Sequence, residues 1–325
     1  MMDKIHLAVV GTGKIVNEAL PILSGIPEVE LAAIYARPHS REKGEQLAGQ
    51  YGIGRVYIDY AELLRDETID FVYVAVVNTA HFEMCRAALL AGKHVIVEKP
   101  MCPTADEVAE LAALAVARGL YLFEAVTLLH SPNFNYITEH LKDIGQVRLV
   151  TCNYSQYSSR YDRYLSGDVA PAFDPAMAGG ALYDINVYNV NFVVGLFSMP
   201  KSSAYYPNIG FNGVDTSGIL IMQYDGFVAE CSGAKDSGSP GYCTIQGERG
   251  WLRMNGAPNQ FRNIELHTTD GDVRVDLERH THRMKEEFLH FTDIYRKGDY
   301  EQMLHYLTIA HDVARVLSLS STTRI

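Results

Sequence analysis

The stretch Ile5-His6-Leu7-Ala8-Val9-Val10-Gly11-Thr12-Gly13-Lys14-Ile15-Val16, close to the start of the chain, decides the fold. Its first six residues form a short apolar run, which is typical of a strand buried on both faces of a parallel sheet. Gly11 and Gly13 follow, and a helical pattern begins directly after them. A strand that enters a helix through such a turn presents backbone N–H groups to an anion. The stretch predicts a dinucleotide-binding turn, although an ordinary tight turn would also carry two glycines, and Val16 replaces the third glycine of the full motif.

Strand and helix patterns alternate from this stretch to about residue 125. Further apolar runs occupy positions 31–35, 71–77, 94–97 and 120–123. The segments between them carry helix signals, such as the capping-box pair Asp59 and Glu62 and the helix-ending Gly119. This alternation predicts an α/β domain with a doubly wound parallel sheet (a Rossmann domain) over residues 1–125.

The pattern changes in the second half of the chain. Asp225-Gly226 and Asp270-Gly271 each separate two β-type runs, which predicts hairpins with tight turns. Helical spacing appears over 180–196, at Met284, Phe288, Phe291 and Tyr295, and over 301–319. We therefore expect an α+β domain over residues 126–325, built on an open, predominantly antiparallel sheet with helices on one face.

Composition excludes several classes of function. The 325 residues include 28 Lys and Arg against 39 Asp and Glu, which gives a net charge of −11. An acidic surface repels nucleic-acid phosphates and anionic lipids, and no apolar run approaches the ~18 residues of a membrane span. Five cysteines without a CxxC pair are typical of reduced thiols. We expect a cytoplasmic protein without a metal, nucleic-acid or membrane partner.

The residues after the second apolar run bear on the cofactor. In NAD-binding domains an acidic residue about 20 positions after the glycine turn binds the ribose 2′-hydroxyl. Positions 31–41 contain no Asp or Glu. Arg37, Ser40 and Arg41 stand there instead, and such groups pair well with a 2′-phosphate. This favours NADP and leaves NAD possible; ordinary solvated basic residues are the alternative interpretation.

Two further clusters carry chemistry. Glu98 and Lys99 directly follow a buried strand, at the carboxyl edge where open α/β sheets bind ligands. In the second half, Gly179-Gly180 precedes a helical segment on which Asp184 and Tyr188, four positions apart, share a face. The Tyr188 phenol can pass a proton when a cation lies nearby, and Asp184 can orient a partner. A structural helix with a core tyrosine is the alternative.

Together these motifs resemble the glucose–fructose oxidoreductase / inositol dehydrogenase / MocA (Gfo/Idh/MocA) family over essentially the whole chain. A tyrosine at position 188 resembles the branch that contains glucose–fructose oxidoreductase, dimeric dihydrodiol dehydrogenase and sugar dehydrogenases. The resemblance rests on five segments: Gly11-x-Gly13; Asn78-Thr79-Ala80-His81; Gly92-Lys93-His94-Val95-Ile96-Val97-Glu98-Lys99-Pro100; Glu124-Ala125 before Pro132; and Gly179-Gly180 with Asp184 and Tyr188.

The resemblance implies an NAD(P)-dependent oxidoreductase that transfers hydride between nicotinamide and a secondary alcohol or carbonyl of a sugar or cyclic polyol. It implies catalytic roles for Lys99, Asp184 and Tyr188, and a homodimer or homotetramer formed through the C-terminal sheet. The motifs and the resemblance together give the expected cofactor contacts: Gly11, Gly13, Lys14, Ile15, Arg37, Ser40, Arg41, Asn78, His81, Glu98 and Lys99.

Departures from the family pattern concern mainly the substrate. Val77 replaces a usual Pro, Asn186 a usual Gly, and His130 an Arg common in sugar-active members; we expect the last two to bear on the substrate pocket. Segment 154–164, rich in Tyr, Ser and Arg, is a further candidate for substrate contacts, with an edge strand followed by a solvated loop as the alternative. His282 is another candidate, although a surface residue at the start of a helix is the default interpretation. Two other functions known on this fold stay open: a glycosidase that uses tightly held NAD for transient oxidation, and a non-catalytic cofactor-sensing regulator.

Overall fold

The structure is a computed structural model that describes residues 4–260 and 262–322. The chain divides into two compact units. The first contains the described residues up to Cys102, then Asp106–Ala125 and Met284–Ala310; the second contains Pro103–Ala105, Val126–Arg283 and the described residues from His311 onward. Within the described residues, no helix is both long and apolar enough to cross a membrane.

A parallel sheet of six strands forms the centre of the first unit. Its strands are β1 (Ile5–Val10), β2 (Val29–Tyr35), β3 (Arg55–Tyr57), β4 (Phe71–Val74), β5 (His94–Glu98) and β6 (Leu122–Ala125). They are ordered β3-β2-β1-β4-β5-β6, which confirms the doubly wound prediction. The order reverses between β1 and β4, and ligands of open α/β sheets bind at such a reversal. The run expected to extend to position 77 ends as a strand at Val74.

The second unit is built on an eight-stranded sheet. Its strands are β7 (Val147–Ser155), β8 (Ser202–Ile209), β9 (Asp215–Gln223), β10 (Val228–Ala234), β11 (Tyr242–Gly247), β12 (Gly250–Asn255), β13 (Arg262–Thr268) and β14 (Gly271–Val275). The order is β14-β13-β12-β11-β7-β10-β9-β8, and all neighbours are antiparallel except β7 and β10. The predicted open, mainly antiparallel sheet is confirmed.

Both predicted hairpins are present, with a difference at the second. Gly226, at φ +86°, lies in the turn between β9 and β10, as expected. In the other hairpin Thr268 pairs with Gly271, so the two loop residues are Thr269 and Asp270. Gly271 is therefore the first residue of β14 and does not lie at the centre of the turn.

The α-helices are numbered along the chain. They are α1 (Lys14–Leu23), α2 (Arg41–Tyr51), α3 (Tyr60–Arg65), α4 (His81–Leu90), α5 (Ala105–Arg118), α6 (Pro132–His140), α7 (Tyr161–Leu165), α8 (Val187–Phe197), α9 (Met284–Lys297) and α10 (Tyr300–Thr322). The predicted stop and start signals act as expected: Gly119, at φ +64°, follows α5, and the Asp59 carboxylate accepts hydrogen bonds from the first turn of α3.

Helix α9 carries the predicted aromatic stripe and packs on the sheet of the first unit. Phe291 stacks on Phe123 with ring centroids 4.7 Å apart, and Tyr295 meets Phe71 edge to face. Such rings bury large apolar areas and contribute strongly to the stability of a core. For this reason Met284–Ala310 belong to the first unit, although they lie 159 or more positions beyond the pattern change at residue 125.

Helix α8 packs against β7 and β10 in the second unit. A π-helical turn, Leu182–Asn186, leads directly into it. Cys152 on β7 is paired in register with Cys231 on β10 and with Cys243 on β11. All three are buried free thiols, so they fill the core of this unit as small apolar side chains.

Candidate active site

The glycine turn after β1 has two distinct steric requirements. Gly11 adopts φ +121°, and a Cβ there would lie 2.4 Å from the Ala75 carbonyl oxygen beyond β4. Gly13 is the N-cap of α1, has no side-chain cap and would have nothing within 4 Å of its Cβ. Gly11 thus allows the turn itself, whereas Gly13 keeps open space in front of the helix N-terminus. That open, uncapped N-terminus fits a dinucleotide pyrophosphate.

The two arginines after β2, Arg37 and Arg41, differ in their side-chain contacts. Arg37 is exposed and follows β2 by two positions, at the edge where β1 also ends. Arg41 is the first residue of α2, and its Nε lies 2.7 Å from Glu45 Oε1. Glu45 therefore competes with any phosphate for Arg41. Arg37 is the better placed of the two cations for a cofactor 2′-phosphate.

His81, an expected cofactor contact, is buried against the chain's own backbone. Its side chain has no exposed surface. Its ring nitrogens lie 3.0 Å from the Pro100 carbonyl oxygen and 3.3 Å from that of Val76. Burial lowers the pKa of His81, which favours the neutral imidazole. His81 therefore joins the segment after β4 to the segment after β5, and its ring has no exposed surface for the direct cofactor contact that the sequence predicted.

Carboxyl groups surround the end of β5, where Lys99 is partly exposed. The buried Glu98 accepts a hydrogen bond from the Tyr73 hydroxyl. Glu124, on the neighbouring strand β6, accepts one from the Met101 backbone N–H at 2.6 Å. Burial, with repulsion from Glu98, raises the pKa of Glu124 to about 7, although the Met101 N–H and Lys99 act in the opposite direction. Sequence reasoning assigned Glu124 no role, although an acid inside the run Leu122-Phe123-Glu124-Ala125 was a signal.

The glycine pair at 179–180 has a packing reason in the second unit. A Cβ on Gly179 would lie 2.5 Å from the Pro171 carbonyl oxygen, and one on Gly180 would lie 2.0 Å from Asp215 Oδ1. Asp215 accepts hydrogen bonds at 2.7 Å from the Leu182 N–H and from the Tyr205 hydroxyl. Gly180 thus allows a buried carboxylate from β9 to cap the start of the helix, whereas Gly179 allows close packing against the Pro171 backbone. Burial raises the pKa of Asp215.

Asp184 lies in the π-helical turn and forms an ion pair that the sequence did not suggest. Its Oδ2 is 2.8 Å from Lys235 Nζ; the Asp184 side chain is 39% exposed and that of Lys235 only 3%. Lys235 also donates to the Ala172 carbonyl oxygen and lies 4.1 Å from the ring centroid of Phe173. Single π-turns in helices are frequent at functional sites. The signal for Lys235 was its position directly after a strand.

Tyr188 lies on α8 and is mostly buried. Its ring centroid is 5.8 Å from that of Tyr154, at the end of β7. The two ends of the candidate segment 154–164 therefore have different roles. Tyr164 is only 1% exposed and packs with Phe173 and Val214. Tyr154 remains a candidate to support Tyr188, whereas Tyr164 stabilises the core.

Asn186, one of the departures from the family pattern, acts in packing. It is fully buried, and its Nδ2 donates to the Cys231 carbonyl oxygen at 2.9 Å. A Cβ at Gly233 would lie 2.6 Å from the Asn186 Cβ. The larger side chain is accommodated because the facing residue of β10 is a glycine. Asn186 therefore acts on the seating of the helix, and its expected influence on the substrate pocket stays a prediction. His130 is also buried, and His282 precedes α9.

Comparison with known proteins agrees with this arrangement. Residues 5–126 match the family model for an oxidoreductase family with an NAD-binding Rossmann fold, and residues 140–253 match the GFO/IDH/MocA C-terminal domain. The chain belongs to the Gfo/Idh/MocA family. This family member is an NAD(P)-dependent oxidoreductase of the dehydrogenase and reductase type, which confirms the expected enzyme class and cofactor class.

Individual relatives cover most of this Gfo/Idh/MocA oxidoreductase. The scyllo-inositol 2-dehydrogenase (NADP(+)) IolU of Bacillus subtilis is 36% identical over 82% of this chain and 80% of its own. The trans-1,2-dihydrobenzene-1,2-diol dehydrogenase of Xenopus tropicalis is 31% identical over 66% and 64%. The solved structure of KijD10, a 3-ketoreductase from Actinomadura kijaniata in complex with NADP and TDP-benzene, aligns with a TM-score of 0.86 at 22% identity over 99% and 98% of the two chains.

Proposed function

We propose that this protein catalyses NADP(H)-dependent hydride transfer between a secondary alcohol and the corresponding carbonyl of a sugar or cyclic polyol. The observation that carries the proposal is the grouping of the glycine turn and Lys99 at one edge of one parallel sheet. Because β1 and β5 run parallel, Gly11 and Lys99 both follow the carboxyl ends of strands. That edge is where such sheets bind dinucleotides.

In this proposal the N-terminal domain, residues 1–125, binds the cofactor, and residues 126–325 bind the substrate. The open N-terminus of α1 supports a pyrophosphate site, and the exposed Arg37 supports a preference for NADP over NAD. The cofactor contacts proposed are Gly11, Gly13, Lys14, Ile15, Arg37, Ser40, Arg41, Asn78, Glu98 and Lys99, with His81 acting indirectly through the Val76 and Pro100 carbonyls.

The proposed catalytic residues are Lys99, Asp184 and Tyr188. When bound, the nicotinamide supplies or accepts hydride at its C4 carbon. In the reductive direction the substrate carbonyl carbon gains hydride and its oxygen gains a proton. Lys99 stabilises the negative charge that develops on that oxygen, and Tyr188 or Lys99 provides the proton. Asp184 orients one of these two proton-handling side chains.

A sugar or cyclic polyol is the proposed substrate class. The support is the identity shared with a scyllo-inositol dehydrogenase and with dihydrodiol dehydrogenases, whose named substrates carry vicinal hydroxyls on a ring. The polar, partly exposed Asp184 carboxylate suits such a substrate, because carboxylates accept hydrogen bonds from hydroxyl groups.

We also propose that the protein forms a homodimer or homotetramer through the outer face of its C-terminal sheet, in the cytoplasm. Ile219 on β9 and Tyr206 on β8 are paired in register and are 44% and 46% exposed. Paired apolar side chains on an open sheet face are typical of an interface. The five free thiols suit a reducing compartment. Size-exclusion chromatography with light scattering tests the assembly, and a monomer at micromolar concentration would contradict it.

The function is tested by fluorescence titration with NADPH and NADH, followed by a panel of scyllo-inositol, myo-inositol, D-glucose and D-xylose with NADP⁺. We expect tighter binding of NADPH and net formation of reduced cofactor, measured at 340 nm, with at least one ring polyol or aldose. Binding of cofactor without turnover of any member would overturn the proposed substrate class and leave the regulator as the alternative. Tightly held NAD with glycoside cleavage and no net reduction would support the glycosidase.

A further inference from the structure

Lys235 is a buried cation whose position in the fold is fixed from several directions. Its backbone N–H donates to the Thr216 carbonyl oxygen at 2.8 Å, which continues the pairing of β10 with β9. The next residue, Asp236, accepts hydrogen bonds from the Thr216 and Ser217 hydroxyls at 2.7 and 2.8 Å. The segment therefore has little freedom to move, and the ammonium group projects from a rigid base.

The Lys235 ammonium has neighbours that suit a buried charge. It forms an ion pair with the Asp184 carboxylate, donates to the Ala172 carbonyl oxygen and lies over the face of the Phe173 ring. A charge buried to this extent is tolerated only when it is paired and hydrogen-bonded. These neighbours restrict where the ammonium lies and, through the ion pair, where the Asp184 carboxylate lies.

The glycine pair of the family pattern belongs to the same arrangement. The Ala172 carbonyl oxygen, which accepts from Lys235, also accepts from the Gly180 backbone N–H at 3.1 Å. A side chain at position 179 would meet the backbone of this segment, with its Cβ 2.9 Å from the Ala172 carbonyl carbon. Gly179-Gly180, the Ala172 segment and Lys235 therefore form one connected support beneath the π-turn that carries Asp184.

The Asp184 carboxylate differs from its cation in exposure. Lys235 is almost entirely enclosed, whereas Asp184 keeps 39% of its side chain accessible. A carboxylate fixed on one side by a buried cation and exposed on the other is preorganised to accept a hydrogen bond without losing side-chain entropy.

We propose that Lys235 is a positioning residue for the reaction: from beneath the protein surface it fixes the Asp184 carboxylate in the orientation in which it accepts a hydrogen bond from a hydroxyl group of the polyol substrate. This inference rests on the proposed function, because it assigns a support to Asp184. It adds a residue from outside the family motifs, and it makes the substrate hydroxyl the group that Asp184 recognises.

The test is a double-mutant cycle with Asp184→Asn, Lys235→Met and the double variant, using the panel member that gives the highest turnover. We expect each single variant to lower kcat/KM for the polyol by about 30-fold, the double variant to lower it no further, and the NADPH Kd to stay within about twofold. If Lys235→Met does not fold, Lys235→Gln replaces it, because it keeps a donor for Ala172 without the charge; we expect the same loss.

The matched control is Lys93→Met. Lys93 is also buried, and its Nζ donates to the Asp66 and Ile69 carbonyl oxygens at 2.7 and 2.9 Å, with no candidate catalytic group among these partners. We expect this variant to lower the thermal midpoint without changing kcat/KM. Thermal midpoints of the Asp184/Lys235 cycle provide a readout that needs no substrate, and the double variant should lose less than the sum of the single variants.

The outcomes separate the two proposals. Additive kinetic losses, or normal kcat/KM in Lys235→Met beside a defective Asp184→Asn, would overturn the role of Lys235 and leave the proposed function standing. Normal turnover in Asp184→Asn, with Tyr188→Phe inactive, would remove Asp184 from the catalytic set and Lys235 with it. An inactive wild-type protein across the panel would overturn the proposed substrate class, even if the midpoints still show the two side chains to be coupled.

Discussion

In the first unit the residues proposed for chemistry follow directly after strands: Gly11 after β1, Asn78 shortly after β4 and Lys99 after β5. In the second unit they come from separate segments, since Asp184 lies in a π-turn and Lys235 follows β10, 63 positions after Ala172. Parallel strands deliver their carboxyl ends to one edge whatever the side chains are. An antiparallel sheet with a packed helix has no such rule, so its side chains must build the arrangement themselves.

The two units should differ in how strongly a single substitution lowers activity. The proposed chemistry of the first unit depends on backbone geometry at a few glycines and on Lys99, so single changes at these positions should be severe. In the second unit several groups together support the turn that carries Asp184: the buried Lys235, the Ala172 carbonyl oxygen and the Asp215 carboxylate that caps the helix start. We therefore expect the largest losses from the edge of the parallel sheet.

Lys99→Ala is the most severe of these changes. We expect kcat to fall by about a thousandfold or more, because both charge stabilisation and proton transfer are lost. The NADPH Kd should change less than about threefold. Steady-state rates at 340 nm and fluorescence titration measure the two effects. Near-normal turnover of the best panel substrate would show that Lys99 is not a catalytic residue.

Gly11→Ala and Gly13→Ala form a matched pair that separates the backbone requirement from the ligand requirement. At Gly11 the added Cβ meets the Ala75 carbonyl oxygen at 2.4 Å at a positive φ, so we expect a destabilisation of about 3 kcal/mol or more. At Gly13 the space is open. We expect a near-normal thermal midpoint there, with NADPH binding weakened at least about tenfold. Equal midpoints in the two variants would contradict the steric account.

Glu124→Gln tests the buried carboxyl near Lys99 through the pH dependence of stability. The unfolded chain releases this proton near the ordinary Glu value, whereas the pKa in the folded protein is about 7. Between these values the folded state binds more protons, so this group makes the free energy of unfolding fall as pH rises from about 4.5 to 7.

The expected decrease from this group is on the order of 3 kcal/mol, and it ends above pH 7. Glu124→Gln should remove it while keeping an acceptor for the Met101 N–H. Urea denaturation of the wild type and the variant between pH 4.5 and 8 gives the difference in their free energies of unfolding. The contributions of the other titrating groups are common to both proteins and cancel in this difference. Parallel stability curves would show that Glu124 titrates normally.

The smallest effect is expected at the cofactor 2′-phosphate. Arg37→Ala should weaken NADPH binding about tenfold and NADH binding less than twofold, because a charge-assisted hydrogen bond to phosphate is lost. Arg41→Ala is the control: its guanidinium is already held by Glu45, so its effect on NADPH should be smaller. Equal losses for NADPH and NADH in Arg37→Ala would remove the basis for an NADP preference.

The sequence predicted the site residues of the first unit better than those of the second. Lys99 and Gly11 were identified correctly as strand-end residues because the pattern of buried strands fixes where a parallel strand stops. His81, chosen from its motif, is buried on the Val76 and Pro100 carbonyls instead. Asp215 and Lys235 were missed. Their partners are far along the chain, and no local pattern distinguishes them from ordinary strand-end polar residues.

By itself the sequence determined the alternation of buried strands and amphipathic helices, the glycine turn, the hairpins and the family, because these depend on hydrophobic periodicity and on backbone conformations that only certain residues adopt. Tertiary structure alone decided that the aromatic face of α9 covers the first unit's sheet, that Gly233 makes room for Asn186, and that Lys235 supports Asp184. The reason is physical: burial and charge pairing depend on what lies across the fold, and local periodicity contains no information about a partner fifty residues away.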